Sequence, residues 1–221
     1  MNNIIRFYIF NNKLKSKLRT GWKDVKISSD RIESISEHVY GCLVLAISIN
    51  SEYKLNLDFE KVLKMLVVHE LEEIIIPDYS ALASVTKEDK KKMGHKAVKK
   101  ILDGLVASDE LLSIIEEFDE RQTKEAKFCY HIDKLEADFQ AKMYDLAGYF
   151  DIEAEKEDCR AWNGDAAEDI IASSKSASDI WLLGDKYLYE DDELFMELQE
   201  AIRDITKEQY DEIINDNEVG E

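Results

Sequence analysis

Apolar residues along the chain recur mostly at intervals of three and four, and few segments alternate apolar with polar for long. That period predicts helices rather than strands. A first helix is expected over about 2–18, followed by a loop, RTGWKDVKISSDR, at 19–31. A second starts near Ser34 or Ser36, either of which can cap it, and runs to about Tyr53. Its inward stripe reads Ile35, His38, Cys42, Leu45 and Ile49. A third starts near Asp58 and continues through VLKMLVVHELEEIII until Pro77 ends it. Residues 79–87 read as loop, Lys87–Val106 as a helix with a lysine-rich exposed side, and Glu110–Gln122 as another helix. The longest helix is expected over Thr123–Phe150, with Thr123 as its cap. Beyond Asp151 the chain is more acidic and less periodic until a last helix near Asp191–Ile214, and the final DNEVGE is expected to fray. The expected organisation is one all-α domain over 1–150 and a C-terminal helical extension over 151–221 packed on it.

Composition agrees with this reading. One proline and eight glycines in 221 residues favour long helices over a turn-rich β fold. The formal charge of -19 repels polyanions, so no polymeric nucleic acid is expected as a partner, although a mononucleotide carries few enough charges for one cation or a metal to offset. Cys42, Cys129 and Cys159 are odd in number and widely spaced, which indicates neither a disulfide framework nor a thiolate zinc knuckle. Cys42 and Cys129 lie in apolar helical contexts and read as small core residues. No apolar run is long enough for a membrane span, and the first residues are too broken for a secretory signal. The expected location is the cytoplasm, with no membrane partner.

Against this apolar background, HELEEIIIPD at 69–78 carries one histidine, three glutamates and an aspartate. His38 lies on the inward stripe of the second helix, His69 ends the apolar run of the third, and Asp133 sits deep in the longest helix. An unpaired buried carboxylate costs several kcal/mol. If the three helices pack together, a divalent metal between them removes that penalty. Adjacent helical residues point about 100° apart, so Glu70 can join His69 if the ion lies between their directions. His38, His69, Glu70 and Asp133 then form a mixed nitrogen and oxygen set suited to one divalent transition metal: Zn, Mn, Co or Fe. Glu73, one helical turn beyond His69, is placed to move a proton at a metal-activated water. Asp78 falls at the pocket rim, and Glu72 reads as a solvated acid. HELEE resembles the start of a zinc-protease HExxH, but residue 73 is glutamate, so that reading is set aside. His131 falls on nearly the opposite face from Asp133, and His95 reads as an exposed or hydrogen-bonded histidine.

The order His, then His-acid, then Asp, each on a helix, is similar to that of the HD-domain metal-dependent phosphohydrolases. RTGW at 19–22, RIESISEH at 31–38, HELEEIIIPD at 69–78 and TKEAKFCYHIDKLEADFQ at 123–140 more closely resemble the YfbR-like 5'-deoxynucleotidases, over about residues 10–150. The resemblance implies an HD-domain helical bundle with a metal in its core, removal of the 5'-phosphate from deoxyribonucleoside monophosphates, and a homodimer. It also implies metal ligation by His38, His69, Glu70 and Asp133, with Glu73 as the catalytic glutamate and Asp78 at the sugar. Arg19, Trp22 and Glu117 are carried over as substrate-pocket residues. The dyad here is His-Glu where the family has His-Asp, and Pro77 replaces the glycine of the family's GD pair. The extra methylene moves the carboxylate outward by one bond, so the ion shifts or the rotamer folds back. Two other readings stay open: an HD hydrolase of another small phosphate ester or nucleotide, and a catalytically impaired module that binds metal or nucleotide.

Overall fold

The computed structural model describes residues 1–77 and 86–216. Among these, every regular element is helical, and the only β pairing is an isolated bridge between Leu18 and Ser34. The all-α expectation holds. The chain divides into two compact units, Met1–Asp24 with Arg31–Glu136, and Val25–Asp30 with Ala137–Glu221.

In the first unit, α1 (Asn3–Asn11) is shorter than expected, because a single 3-10 turn (Asn12–Lys15) replaces its last turns. The chain then runs extended, with the Arg19 N–H donating to the Glu33 carbonyl and the Ile35 N–H to the Lys17 carbonyl. The expected loop contains a short helix, α2 (Thr20–Asp24). Helix α3 (Ile35–Tyr53) starts at Ser34 through a capping box with Glu37, satisfying two orphan N–H groups reciprocally. It buries Ile35, His38, Cys42, Ala46 and Ile49. Helix α4 (Phe59–Val68) is capped by Asp58 and buries Val62, Met65, Leu66 and Val68. Helix α5 (Lys87–Leu102) is capped by Thr86 and stops before Gly104, whose φ of 86° is left-handed. Helix α6 (Ser108–Glu120) ends on Arg121 in the αL region.

Helix α7 (Lys124–Leu146) starts where Thr123 Oγ1 accepts the Ala126 N–H. It ends at Gly148, with the Tyr149 N–H returning to the Tyr144 carbonyl. Its residues 124–136 belong to the first unit and the remainder to the second. Ile132 and Leu135 are almost wholly buried, each contributing about 2 kcal/mol by leaving water.

The second unit departs from expectation. Where periodicity faded, the chain forms α8 (Ile152–Asn163), α9 (Ala167–Ser173) and α10 (Ala177–Asp185). The expected final helix is two, α11 (Glu193–Arg203) and α12 (Lys207–Asn215), split where Thr206 caps a new start. Helices of two or three turns show too few repeats for a period to stand out. Trp162 and Trp181 meet edge to face at 6.1 Å, and Tyr189 stacks on Phe195 at 6.2 Å. Among the described residues no helix is long and apolar enough to cross a membrane.

Candidate metal centre

The third helix does not run on to Pro77. It ends at Val68, His69 is its cap, and Glu70 leaves helical geometry at φ -103° and ψ 13°. A 3-10 turn, Leu71–Ile74, follows, with the Glu73 N–H on the Glu70 carbonyl. The Lys17 ammonium donates to the carbonyls of Glu73 and Ile76 and so holds the end of this turn. A tertiary cation, invisible to local propensity, thus favours the tighter turn. Glu73 therefore sits on a 3-10 turn rather than one α-turn above His69.

This break lets neighbouring residues serve one point. The His69 Nδ1 lies 2.7 Å from the Leu66 carbonyl, which can only accept, so the proton is on Nδ1 and Nε2 carries a lone pair. That Nε2 is buried and has no hydrogen-bond partner. It stands 3.7 Å from Glu70 Oε1 and 3.9 Å from Asp133 Oδ1. His38, wholly buried on α3, places Nε2 3.1 Å from Asp133 Oδ1 and 3.7 Å from Glu70 Oε1. His38, His69, Glu70 and Asp133 each offer a donor atom, all within 4.8 Å of one another. The four expected ligands are therefore brought together, although two helices, α3 and α7, and the end of α4 supply them rather than three continuous helices.

Around them stands a layer that sequence reading missed. The His38 Nδ1–H donates to Glu136 Oε2, completing a carboxylate–imidazole pair of the kind that orients metal-binding histidines. Glu136 follows Asp133 by three residues, on the same helical face; that spacing is the signal that could have found it. A Cβ on Gly41 would lie 2.3 Å from Glu136 Oε1, so glycine there keeps room for the carboxylate. Glu33, also buried, accepts the Trp22 indole N–H at 2.7 Å. Burial and the nearby Glu136 push Glu33 up to about 7, against the pull of His38 and Trp22. Arg19 donates to Glu70 Oε1 at 3.0 Å, and Lys134 pairs with Asp133 Oδ2 at 2.9 Å.

Charge in the cluster follows from these partners. Burial raises Asp133, but Lys134 and His38 outweigh it and hold the carboxyl well below its usual range. Glu70 is likewise raised by burial and brought below the ordinary value by His69, Arg19 and His38. Burial lowers His69 despite Glu70 and Asp133. The site therefore favours the ionised form of both carboxylates and the neutral form of the His69 imidazole.

The remaining candidates are not among the clustered donors. Trp22 is 2% exposed with its N–H committed to Glu33, so it supports that carboxylate and offers no free ring face. Glu117 is engaged by Lys61 and by the Thr123 hydroxyl and is not among the clustered donors. Glu73 is buried on the 3-10 turn. Asp78 and the loop at 79–85 lie outside the described residues. Glu72, expected in solvent, is half-buried beside Gly94 and pushed up to about 7, chiefly by burial. His95 is hydrogen-bonded, to Asp119 at 2.7 Å, and His131 is buried outside the donor groups.

Ligands about 2.1 Å from a common ion stand about 3 to 3.5 Å apart in octahedral or tetrahedral arrangements. Separations of 3.1 to 3.9 Å, with a buried imidazole lone pair lacking a partner, fit such an ion. The sequence profile described as HD domain matches residues 11–173, most of the chain. The chain belongs to the HD domain family. It is a metal-dependent phosphohydrolase by that membership, and the family implies a divalent metal. The human protein named 5'-deoxynucleotidase HDDC2 is 32% identical over 146 residues, covering 65% of this chain and 69% of its own. The Dictyostelium discoideum protein of the same name is 28% identical, covering 66% and 79%. Among solved structures, the PH0347 protein from Pyrococcus horikoshii is similar at a TM-score of 0.60 and 26% identity, over 88% of this chain and 99% of that one.

Proposed function

We propose that this HD-domain protein releases the 5'-phosphate from deoxyribonucleoside monophosphates, with His38, His69, Glu70 and Asp133 holding one Zn, Mn, Co or Fe ion. The observation that carries the reading is the convergence of these four donors about the unpartnered His69 Nε2. The names of the relatives, 5'-deoxynucleotidases, support the substrate class. When bound, such an ion supplies Lewis acidity to a phosphoryl group and to water. Glu73, buried on the 3-10 turn that follows Glu70, moves a proton at the attacking water. Arg19, half-buried beside Glu70, offsets phosphate charge. Trp22 positions the wall through Glu33, while Asp78 and Glu117 are the acids assigned to the nucleotide. The protein acts in the cytoplasm as a homodimer.

Phosphate release from dAMP, AMP and dATP, with added Mn²⁺ or Co²⁺, tests the substrate class. dAMP is expected to be the best substrate, and turnover of dATP alone would replace the reading with that of a triphosphohydrolase. Glu73→Ala is expected to keep the ion and lose turnover, whereas Asp133→Ala loses both. Equal loss of metal from both would overturn the division of roles.

A further inference from the structure

The two imidazoles face a second donor besides the carboxylates. Cys42, four residues after His38, lies on the same face of α3 and is wholly buried. Its Sγ stands 3.6 Å from His38 Nε2. His38, Cys42 and His69 form a three-donor group within 4.8 Å, separate from the oxygen-bearing group but sharing both histidines. With Nδ1 taken by the Leu66 carbonyl, the buried Nε2 that lacks a hydrogen-bond partner is the nitrogen His69 has to offer either group. Two nitrogens and one sulfur suit soft or borderline ions, whereas two nitrogens and two carboxylates suit harder ones.

We propose that Cys42 is a second-mode metal ligand: a soft divalent ion, such as Cd²⁺, is taken on the sulfur side of the shared imidazoles, while a hard ion, such as Mn²⁺, is taken on the carboxylate side. The inference rests on the metal site proposed above. Capture on the sulfur side breaks the Cys42 S–H bond, forms a sulfur–metal bond and releases one proton to solvent, with no change of oxidation state. The thiol thereby sets which ions the site retains and diverts soft ions from the oxygen donors.

Metal-free protein titrated with Cd²⁺ is expected to develop a near-ultraviolet thiolate charge-transfer band, absent with Mn²⁺. Cys42→Ala and Cys42→Val are each expected to lose the band and weaken Cd²⁺ binding by at least about tenfold, with Mn²⁺ binding by electron paramagnetic resonance changed less than about twofold. In wild-type protein, Cd²⁺ should protect Cys42 from alkylation on denaturing quench, mapped by mass spectrometry against Cys129 and Cys159. Mn²⁺ binding without a Cys42-dependent band or protection overturns this inference and leaves the metal site standing. Failure of wild-type protein to bind either ion overturns both. A variant that no longer binds Mn²⁺ is set aside, and the alkylation result in wild-type protein then decides.

Discussion

Asp133 and Asp138 lie five residues apart on one helix, α7, and both are buried, yet their surroundings are opposites. Asp133, in the first unit, meets His38, His69 and Lys134, and its carboxyl is held well below the ordinary range. Asp138, in the second, accepts from Trp181 Nε1 at 3.1 Å, Tyr189 OH at 2.9 Å and Gln199 Nε2 at 2.9 Å. Burial, with Asp185 nearby, pushes its carboxyl well above the usual value despite those three donors. Burial alone therefore does not mark a functional acid. An acid among neutral donors fastens side chains, and its hydrogen bonds close on the protein itself. An acid among imidazoles and cations, beside a lone pair that nothing fills, is half of a binding site.

The sharpest separation of the two roles comes from removing each carboxylate in turn. Asp133→Ala is expected to weaken Mn²⁺ binding at least about a hundredfold, with unfolding of the metal-free protein far less affected. Asp138→Ala should do the reverse. Three donors, two of them buried, lose this acceptor, stability falls by about 3 kcal/mol in urea unfolding, and Mn²⁺ affinity stays near wild type. Loss of metal from Asp138→Ala at temperatures where it remains folded would erase the contrast.

A smaller effect probes the layer behind the ligands. Glu136→Gln removes the carboxylate that orients His38, and Gly41→Ala crowds the same carboxylate from α3. Each is expected to weaken metal binding by about ten- to a hundredfold in competition with a chelator, with helix content unchanged. If Gly41→Ala binds the ion as wild type does, Glu136 is not the support assigned to it.

The most local effect, confined to one carboxyl, lies in the second unit, where Glu155 is 2% exposed with Oε2 lacking a hydrogen-bond partner. Burial, with Asp158 and Asp185 near, pushes its carboxyl from 4.5 up to about 8. Between those values the folded chain holds a proton that the unfolded chain has released. Its contribution to stability is therefore complete below about 4.5 and is lost as pH rises through about 8. Glu155→Gln is expected to flatten that decline and to exceed wild type in urea resistance near pH 8; an unchanged slope would place the buried proton elsewhere.

Much of the site was legible because its members break the apolar pattern. His38 and Asp133 stand on helical stripes that otherwise contain oil, and the caps at Ser34, Asp58 and Thr123 set the helices that carry them. The break after Val68 was not legible, since EEIII continues both helical pattern and propensity, and the Lys17 cation that favours the turn comes from 56 residues away. Glu33 and Glu136 were missed for a related reason. In a chain with 48 acidic residues, a glutamate inside a charged stretch reads as surface until its partner is seen. The helices beyond Asp151 hid because each is short.

The kink between His69 and Glu70 has a corollary for how this dyad can vary. A rigid helix would fix the angle between neighbouring ligands, so that lengthening one arm by a carbon would carry its oxygen past the target. At a joint the backbone supplies slack, and the longer arm is folded in by turning the chain rather than by bending the side chain. Glutamate and aspartate become alternative fittings for one socket, and the length of the acid is tuned by where the helix stops.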